Sequence, residues 1–359
     1  MARKKGIQHP EYEKAPMDRR TFFRKLATAG GIAGATGYVA MAPEKWPLSM
    51  KDETGLLSVP RETPMQLQDY RVDRGVAGLP DVGVVRIDRS SGEDLPPETY
   101  RTMLRQVVDL MGGIQKFISP GDIVLIKPNV AFDRSPNLGA TSNPTMLEEL
   151  IRVVLVDGRA QEVRIADNPI ESPPDCFAKS KIRAATENAG GRVYLPDANA
   201  FRLLHTPGAQ LIEKWTFFHR PFTNVDKVIG IAPVKDHNLC SASMGMKNWY
   251  GLLGGTRNQF HQDIHGIVSD LSMMIKPTLT ILDGTNVLME NGPTGGDPSN
   301  VKKGDIVAAG TDPVALDAWA FEHSLERGRD YPHYLLKAEE KGSGKLDWTG
   351  RVKEQALSA

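Results

Sequence analysis

The sequence predicts an α/β fold: a mostly parallel sheet flanked by helices, in two lobes with a crevice between them. Short apolar runs of strand length alternate with segments whose apolar residues recur at helical spacing. Several of these runs finish in polar residues: Lys127 and Asn129, Asp167 and Asn168, Lys235 and His237, Asp283, Asp312. A parallel sheet would gather those tips along one edge, where open α/β sheets bind their ligands. The length, 359 residues with 40% hydrophobic and 25% charged, suits one large or two medium soluble domains.

The chain opens with a targeting pattern. Asp18-Arg19-Arg20-Thr21-Phe22-Phe23 precedes a Gly/Ala-rich apolar run, 26–42, and together they resemble a twin-arginine export signal. Gly30, Gly31, Gly34 and Gly37 would weaken an ordinary amphipathic helix there. The run is short for a membrane span. Residues 1–42 are therefore expected to engage the twin-arginine translocase and send an already folded protein to the periplasm, with membrane association left open. Export after folding favours a bound cofactor or a partner subunit. Residues 43–80 read as a linker or surface arm, 81–326 as the α/β domain, and 327–359 as a charged, weakly packed tail.

Within the domain, 82–87 reads as a strand and 99–116 as a helix, through Leu104, Val107, Val108, Met111 and Ile114. A second strand, 123–126, leads through a helix at 145–156, with Asn143-Pro144 at its cap, into a third strand at 163–166. That is a βαβ unit, whose two polar ends must lie on the same edge. A helix at 179–189 and a short strand near Val193 follow. Trp215, Phe217, Phe218 and Phe222 read as core, or as an excursion over the site. Strands at 228–234, 278–282 and 306–309 and helices at 264–275 and 314–323 complete the domain.

The stretch from Asp226 to His265 carries the densest chemistry. After its strand comes a long loop holding Lys235, His237, Lys247, Asn248, Arg257, His261 and His265. Gly245, Gly251, Gly254 and Gly255 suit a backbone that bends tightly or approaches a ligand closely. Lys127, Lys235, Lys247 and Arg257 would make the crevice cationic and fit it for a carboxylate, phosphate or anionic cofactor. Cations crowded together lower one another's pKa, so Lys247 or Lys235 is a candidate nucleophile or covalent attachment point. His237 is the candidate acid/base. His261 and His265, four apart, would share a helical face and could bind one metal ion, although HQDIH lacks the glutamate of a metalloprotease. A solvated polar loop accounts for any one of these residues taken singly. Each post-strand aspartate also suits a helix cap, Asp312 most of all, because Pro313 follows it.

Lys plus Arg equals Asp plus Glu at 44 each, so no global field draws nucleic acid. Cys176 and Cys240 fit neither a disulfide framework nor a zinc or iron–sulfur pattern. No iron–sulfur cluster is expected on this chain. The glycine-rich segment 290–297 is neither a P-loop nor a dinucleotide fingerprint.

Taken in combination, Ile126-Lys127-Pro128-Asn129, Ala166-Asp167-Asn168-Pro169, Lys235-Asp236-His237, Met246-Lys247-Asn248, Asp283-Gly284, Asn291-Gly292-Pro293 and Ala309-Gly310-Thr311-Asp312-Pro313-Val314-Ala315 resemble the domain-of-unknown-function 362 family. That family has no settled activity, and many of its members carry ferredoxin-type cysteines that are absent here. The order His237, Lys247, His261 is also similar to the central segment of nickel-pincer lactate racemases. That resemblance implies Lys247 as the anchor of a nickel-containing organic cofactor, His261 or His265 as a metal ligand, and His237 as acid/base. The departure is SASMGMKN in place of the racemases' Gly-Gly-Lys.

The expected function is that of an exported periplasmic protein binding an anionic small molecule or a metal-containing cofactor. As an isomerase or oxidoreductase it would move a proton or hydride next to a carboxylate. His237, Lys247 and Lys235 would be its catalytic residues; Lys127, Asn129, Asp167, Asn248, Arg257, Asp283 and Asp312 would bind cofactor or ligand. The alternative is a non-catalytic accessory subunit of a periplasmic or membrane-associated redox complex, with a separate partner subunit carrying iron–sulfur or cytochrome centres.

Overall fold

The computed structural model describes residues 63–72, 80–88 and 93–358. The expected export signal and most of the expected linker lie outside the described residues. Eleven strands form among them: β1 (Val82–Asp88), β2 (Ile123–Lys127), β3 (Glu162–Ala166), β4 (Arg192–Tyr194), β5 (Phe201–His205), β6 (Lys214–Phe218), β7 (Lys227–His237), β8 (Ser241–Ser243), β9 (Leu279–Leu288), β10 (Val301–Gly310) and β11 (Val352–Ser358). Nine of them make one sheet in the order β11-β1-β10-β9-β7-β2-β3-β4, with β8 added on β7, while β5 and β6 pair as a separate ribbon.

From β9 to β4 the neighbours are all parallel. The βαβ unit read from the sequence is among them, since Ile126 pairs with Ile165 across parallel β2 and β3. β10 runs antiparallel to both β9 and β1, and β11 is parallel to β1.

Among the described residues eight α-helices cover the sheet: α1 (Pro97–Leu110), α2 (Pro144–Arg152), α3 (Pro173–Lys179), α4 (Ile182–Asn188), α5 (Gly245–Asn248), α6 (Ile264–Met274), α7 (Pro313–His323) and α8 (His333–Glu340). Alternation along β7 divides the core. Ile229 and Ile231 pack with α1, α2 and α4 on one face; Val228, Ala232 and Val234 face α5 to α8 on the other. Each valine or isoleucine among them, fully buried, contributes roughly 1.5–3 kcal/mol relative to exposure. Trp215, Phe217, Phe218 and Phe222 are core, as one of the two readings had it.

Local chemistry sets the boundaries. Asn143 caps α2, its side-chain oxygen accepting from Thr145 N (2.9 Å) and Met146 N (3.3 Å), with Pro144 at the first position. The helix expected to reach residue 116 stops at Leu110, because Gly112 and Gly113 take φ of 102° and 82°, outside any helix. β7 extends past the expected 234, so Lys235 and His237 belong to a strand end, held by β8 through Lys235–Ser243 and His237–Ser241 pairs.

Two expectations are corrected. Asp312 does not join the other strand tips. Antiparallel β10 sets Gly310 beside Thr280, at the start of β9, so Asp312 lies at the opposite edge of the sheet. There it caps α7, accepting from Val314 N and Ala315 N at 3.0 Å each, and pairs with Arg351 at 2.6 Å. The region from 327 is not a weakly packed tail either: Tyr334, Leu335 and Ala338 are fully buried, and β11 extends the sheet beside β1. Its charged residues alternate with apolar ones that face the molecule, which overall composition conceals.

Candidate functional site

At the carboxyl ends of β2, β3 and β7 the chain buries a polar cluster. Lys127 and Asp167, each 1% exposed, form an ion pair at 2.8 Å. Lys127 Nζ also donates to Pro128 O (2.7 Å) and Asn248 Oδ1 (2.8 Å), so all three of its protons have acceptors. Asp167 accepts from Val130 N (2.7 Å) and from Asn168 N (3.0 Å) as well. Burial pushes the Lys127 ammonium down; Asp167 opposes that, and Arg257 and Lys247 add to it.

Asn248 is the hub. Its Oδ1 accepts from Lys127 and from Asn129 Nδ2 (3.2 Å), while its Nδ2 donates to Lys127 O (3.1 Å) and Ile231 O (3.4 Å). Asn129 Oδ1 in turn accepts from Lys235 Nζ at 3.1 Å, and Lys235 reaches Ala140 O at 2.6 Å. Lys235 is 1% exposed, lies 5.4 Å from the Phe132 ring centroid, and is held well below the ordinary lysine range by burial and then by Lys247 and Lys127.

Arg257 clamps the loop, donating to the carbonyls of Leu253 (3.1 Å), Asn168 (2.7 Å) and Pro169 (3.1 Å). The Tyr250 ring has Lys247 Nζ at 5.0 Å from its centroid and the Arg257 guanidinium at 5.8 Å. Burial lowers both cations. Gly251 in this loop has the close approach expected of the loop glycines: a Cβ there would stand 2.0 Å from Asp167 Oδ1 and 2.9 Å from Lys127 Nζ.

The two imidazoles at this edge hold opposite tautomers. His237 Nδ1 accepts from Leu239 N (3.2 Å), which leaves the proton on Nε2. Burial, then Lys247, His261, Lys235 and His265, hold His237 well below the ordinary imidazole range, so it is neutral. His261 Nδ1 lies 3.0 Å from Asn258 O, which requires the proton on Nδ1 and leaves the Nε2 lone pair available. Burial, with Lys247 next, brings His261 down to about 4.

Lys127, Asn129, Asp167, Lys235, His237, Lys247, Asn248, Arg257 and His261 thus converge. Three predicted site residues do not. Asp312 is at the far edge. The Asp283 carboxylate lies within β9 and is satisfied by Thr285 N and Oγ1 and by the Asn143 backbone; burial raises it, and it forms no ion pair with the cluster. His265 stacks beside His333 (5.5 Å) and Tyr334 (6.2 Å), whereas His261 lies against Tyr250 (5.4 Å). Because α6 begins only at Ile264, His261 sits on the preceding 3₁₀ turn, and the spacing of four does not set the two histidines on one helical face. Among the described residues no three His, Cys, Asp or Glu side chains group as a metal site.

Asp317 was missed. It is fully buried on α7, and its two oxygens accept from Gly245 N and Met246 N at 3.0 Å each, anchoring the turn that carries Lys247. Burial pushes it up to about 7 against those two donors. A lone carboxylate inside an otherwise apolar helix, VALDAWAF, was the available signal.

The recess of about 580 Å³ beside Asn168, Pro169, Phe201 and Thr256 adjoins Arg257 but includes Glu171 and Asp197, so it flanks the cationic cluster without being the anion site itself.

A family model described as "Domain of unknown function (DUF362)" matches residues 124–322. The thylakoid-associated protein sll1697 of Synechocystis is 28% identical over 229 residues, 60% of this chain and 66% of that protein. Among solved structures, a Thermotoga maritima structural-genomics target aligns with TM-score 0.38 and 14% identity, over 71% of this chain and 60% of its own. The lactate racemase apoprotein of Thermoanaerobacterium thermosaccharolyticum aligns with TM-score 0.39 and 13% identity, over 73% and 60%. The chain thus spans just under two thirds of the curated relative's length, and less of each solved structure.

Proposed function

This chain belongs to the DUF362 family, and from that membership, which names no reaction, we propose that the cluster binds a small organic anion and moves a proton or hydride at the carbon next to its carboxylate. One observation carries the reading: Lys127, Lys235, Lys247 and Arg257 are buried together, and Asp167 is the one carboxylate among the described residues that pairs with any of them. Buried charge without a counter-charge is costly, so the arrangement favours an anion supplied from outside.

The neutral imidazoles suit complementary roles, His261 as base and His237 as hydrogen-bond donor to the oxygen that gains charge. His237 presents Nε2–H as donor, and His261 presents a lone pair as base. Lys247 lies among them with an unbonded nitrogen to meet the anion, and Lys235 behind it adds to the field. A nickel-containing organic cofactor would find Lys247 for attachment and His261 as a single protein ligand; its organic part would have to supply the other ligands and the hydride-accepting chemistry. We further propose export to the periplasm by the twin-arginine route, from the motif at Arg19-Arg20.

Calorimetric titration with oxalate and with lactate tests the reading. Wild-type protein should bind at least one of them, and a folded Lys235→Met/Lys247→Met variant should not; equal binding by both proteins would overturn it.

The curated relative's description as thylakoid-associated favours a second reading, an accessory subunit of a membrane-associated redox complex. No helix among the described residues is long and apolar enough to cross a membrane. Reproducible co-purification with cytochrome or iron–sulfur subunits from native membranes would support it, and recovery without them would remove it.

A further inference from the structure

Lys247 differs from the other cations of the cluster. Lys127 has three acceptors, Lys235 two and Arg257 several carbonyls, whereas no hydrogen bond or carboxylate among the described residues reaches Lys247 Nζ. The residue is 9% exposed, against 1% for Lys127 and Lys235. Its nitrogen is not one of the sealed polar atoms that lack a partner, so the exposed part includes the tip. The nitrogen lies over the Tyr250 ring, 5.0 Å from its centroid, and Asp317 fixes the turn below through Gly245 N and Met246 N.

We propose that Lys247 is a Schiff-base lysine, forming an imine with the carbonyl group of a small 2-oxo acid or related anionic aldehyde. The proposal rests on the anion-binding reading and narrows it to ligands that carry an electrophilic carbonyl beside the carboxylate.

The step balances without an oxidant. The Nζ lone pair attacks the carbonyl carbon, forming the C–N bond as the carbonyl π pair moves to oxygen. The His261 Nε2 lone pair takes the proton released from nitrogen and returns it to the oxygen, to which His237 Nε2–H donates a hydrogen bond while the charge is there, giving a carbinolamine. Loss of water then leaves the C=N bond. Burial pushes the Lys247 ammonium below its ordinary range, with Cys240 opposing and Arg257 adding to the effect, which raises the share of the free amine that attack requires. The positive charge of Arg257, with Lys127 and Lys235 behind it, favours the carboxylate through its field, since their nitrogens already have acceptors. Neither Lys127 nor Lys235 competes, since their nitrogens are engaged and enclosed.

The test is reductive trapping. The full chain is incubated with pyruvate, and separately with glyoxylate, in the presence of cyanoborohydride, then measured by intact mass and peptide mapping. The expected result is a single adduct on the peptide containing Lys247, absent from Lys247→Arg and slowed by excess oxalate in the wild type. Labelling spread over surface lysines at equal rates, or unchanged labelling of Lys247→Arg, overturns the proposal. Should the arginine variant not fold, oxalate protection of the mapped Lys247 peptide in the wild type decides in its place. Oxalate binding by calorimetry without any Lys247 adduct would overturn the imine and leave the anion-binding reading standing; absence of oxalate, lactate and pyruvate binding would remove that reading itself.

Discussion

Gly251 sits so close to Asp167 that a methyl group on its Cα would stand 2.0 Å from Asp167 Oδ1. The same loop residue accepts from Asn168 N at 2.9 Å, so the loop carrying Tyr250 and Arg257 is pinned onto the end of β3. The ion pair and the loop above it are one unit.

Gly251→Ala should therefore separate Lys127 from Asp167 or lift the loop. Breaking a buried ion pair costs about 3–5 kcal/mol. Urea denaturation should report a loss in that range together with lost anion binding. A stability within about 0.5 kcal/mol of wild type, the range typical of an uninvolved surface position, would contradict the geometry.

Asp317 makes stability fall as pH rises. Its folded pKa is raised from 3.8 to about 7, so the unfolded chain releases this proton first. The contribution is complete below the unfolded value, declines through the interval, and is gone above the folded value, a span of at most about 4 kcal/mol. Denaturant midpoints across that interval should decline more steeply in wild type than in Asp317→Asn, which cannot ionise. Parallel slopes would show that Asp317 titrates normally.

His261 should remain neutral through the range where an ordinary imidazole, at 6.5, gains its proton, because its own value is about 4. A lowered folded value means that stability is present above 6.5 and is lost as pH falls toward 4. Histidine NMR titration should find His261 with the proton on Nδ1 and His237 with it on Nε2, both unchanged around pH 6.5. An imidazolium signal from either residue near neutrality would refute the assignment.

Arg351→Ala should destabilise the fold although it lies far from the cluster. It leaves Asp312, 2% exposed, without its guanidinium partner beside the start of α7, and an unpaired buried charge costs on the order of 3 kcal/mol. Thermal unfolding should shift downward while oxalate affinity stays unchanged.

Replacing Arg19 and Arg20 with lysine should retain the protein in the cytoplasm, as read by cell fractionation. Continued periplasmic recovery would remove the export proposal.

Much of the cluster was legible because strand ends announce themselves. Lys127-Pro128-Asn129 and Asp167-Asn168-Pro169 close two apolar runs joined by a helix of crossover length, and a right-handed crossover leaves both tips on one edge. Arg257 and Lys247 were legible as cations in a glycine-punctuated loop, although the carbonyl clamp of one and the unbonded nitrogen of the other were not. The Asp312 reading reversed because VAAG in β10 looks the same in either direction, and the pattern of a strand does not say which way it runs beside β9. Asp317 escaped because an aspartate's neighbours on its own helix say nothing of the backbone it meets across the core.

By itself the sequence determined β1 to β4, β7, β9 and β10, the βαβ unit, the polar tips that follow the strands and the glycines that admit close approach, since each follows from short-range sterics and periodicity. Tertiary structure decided which tips meet, which histidine keeps its lone pair, and which lysine is left unbonded. Those outcomes depend on strand direction and on dielectric surroundings that exist only once distant segments have packed together.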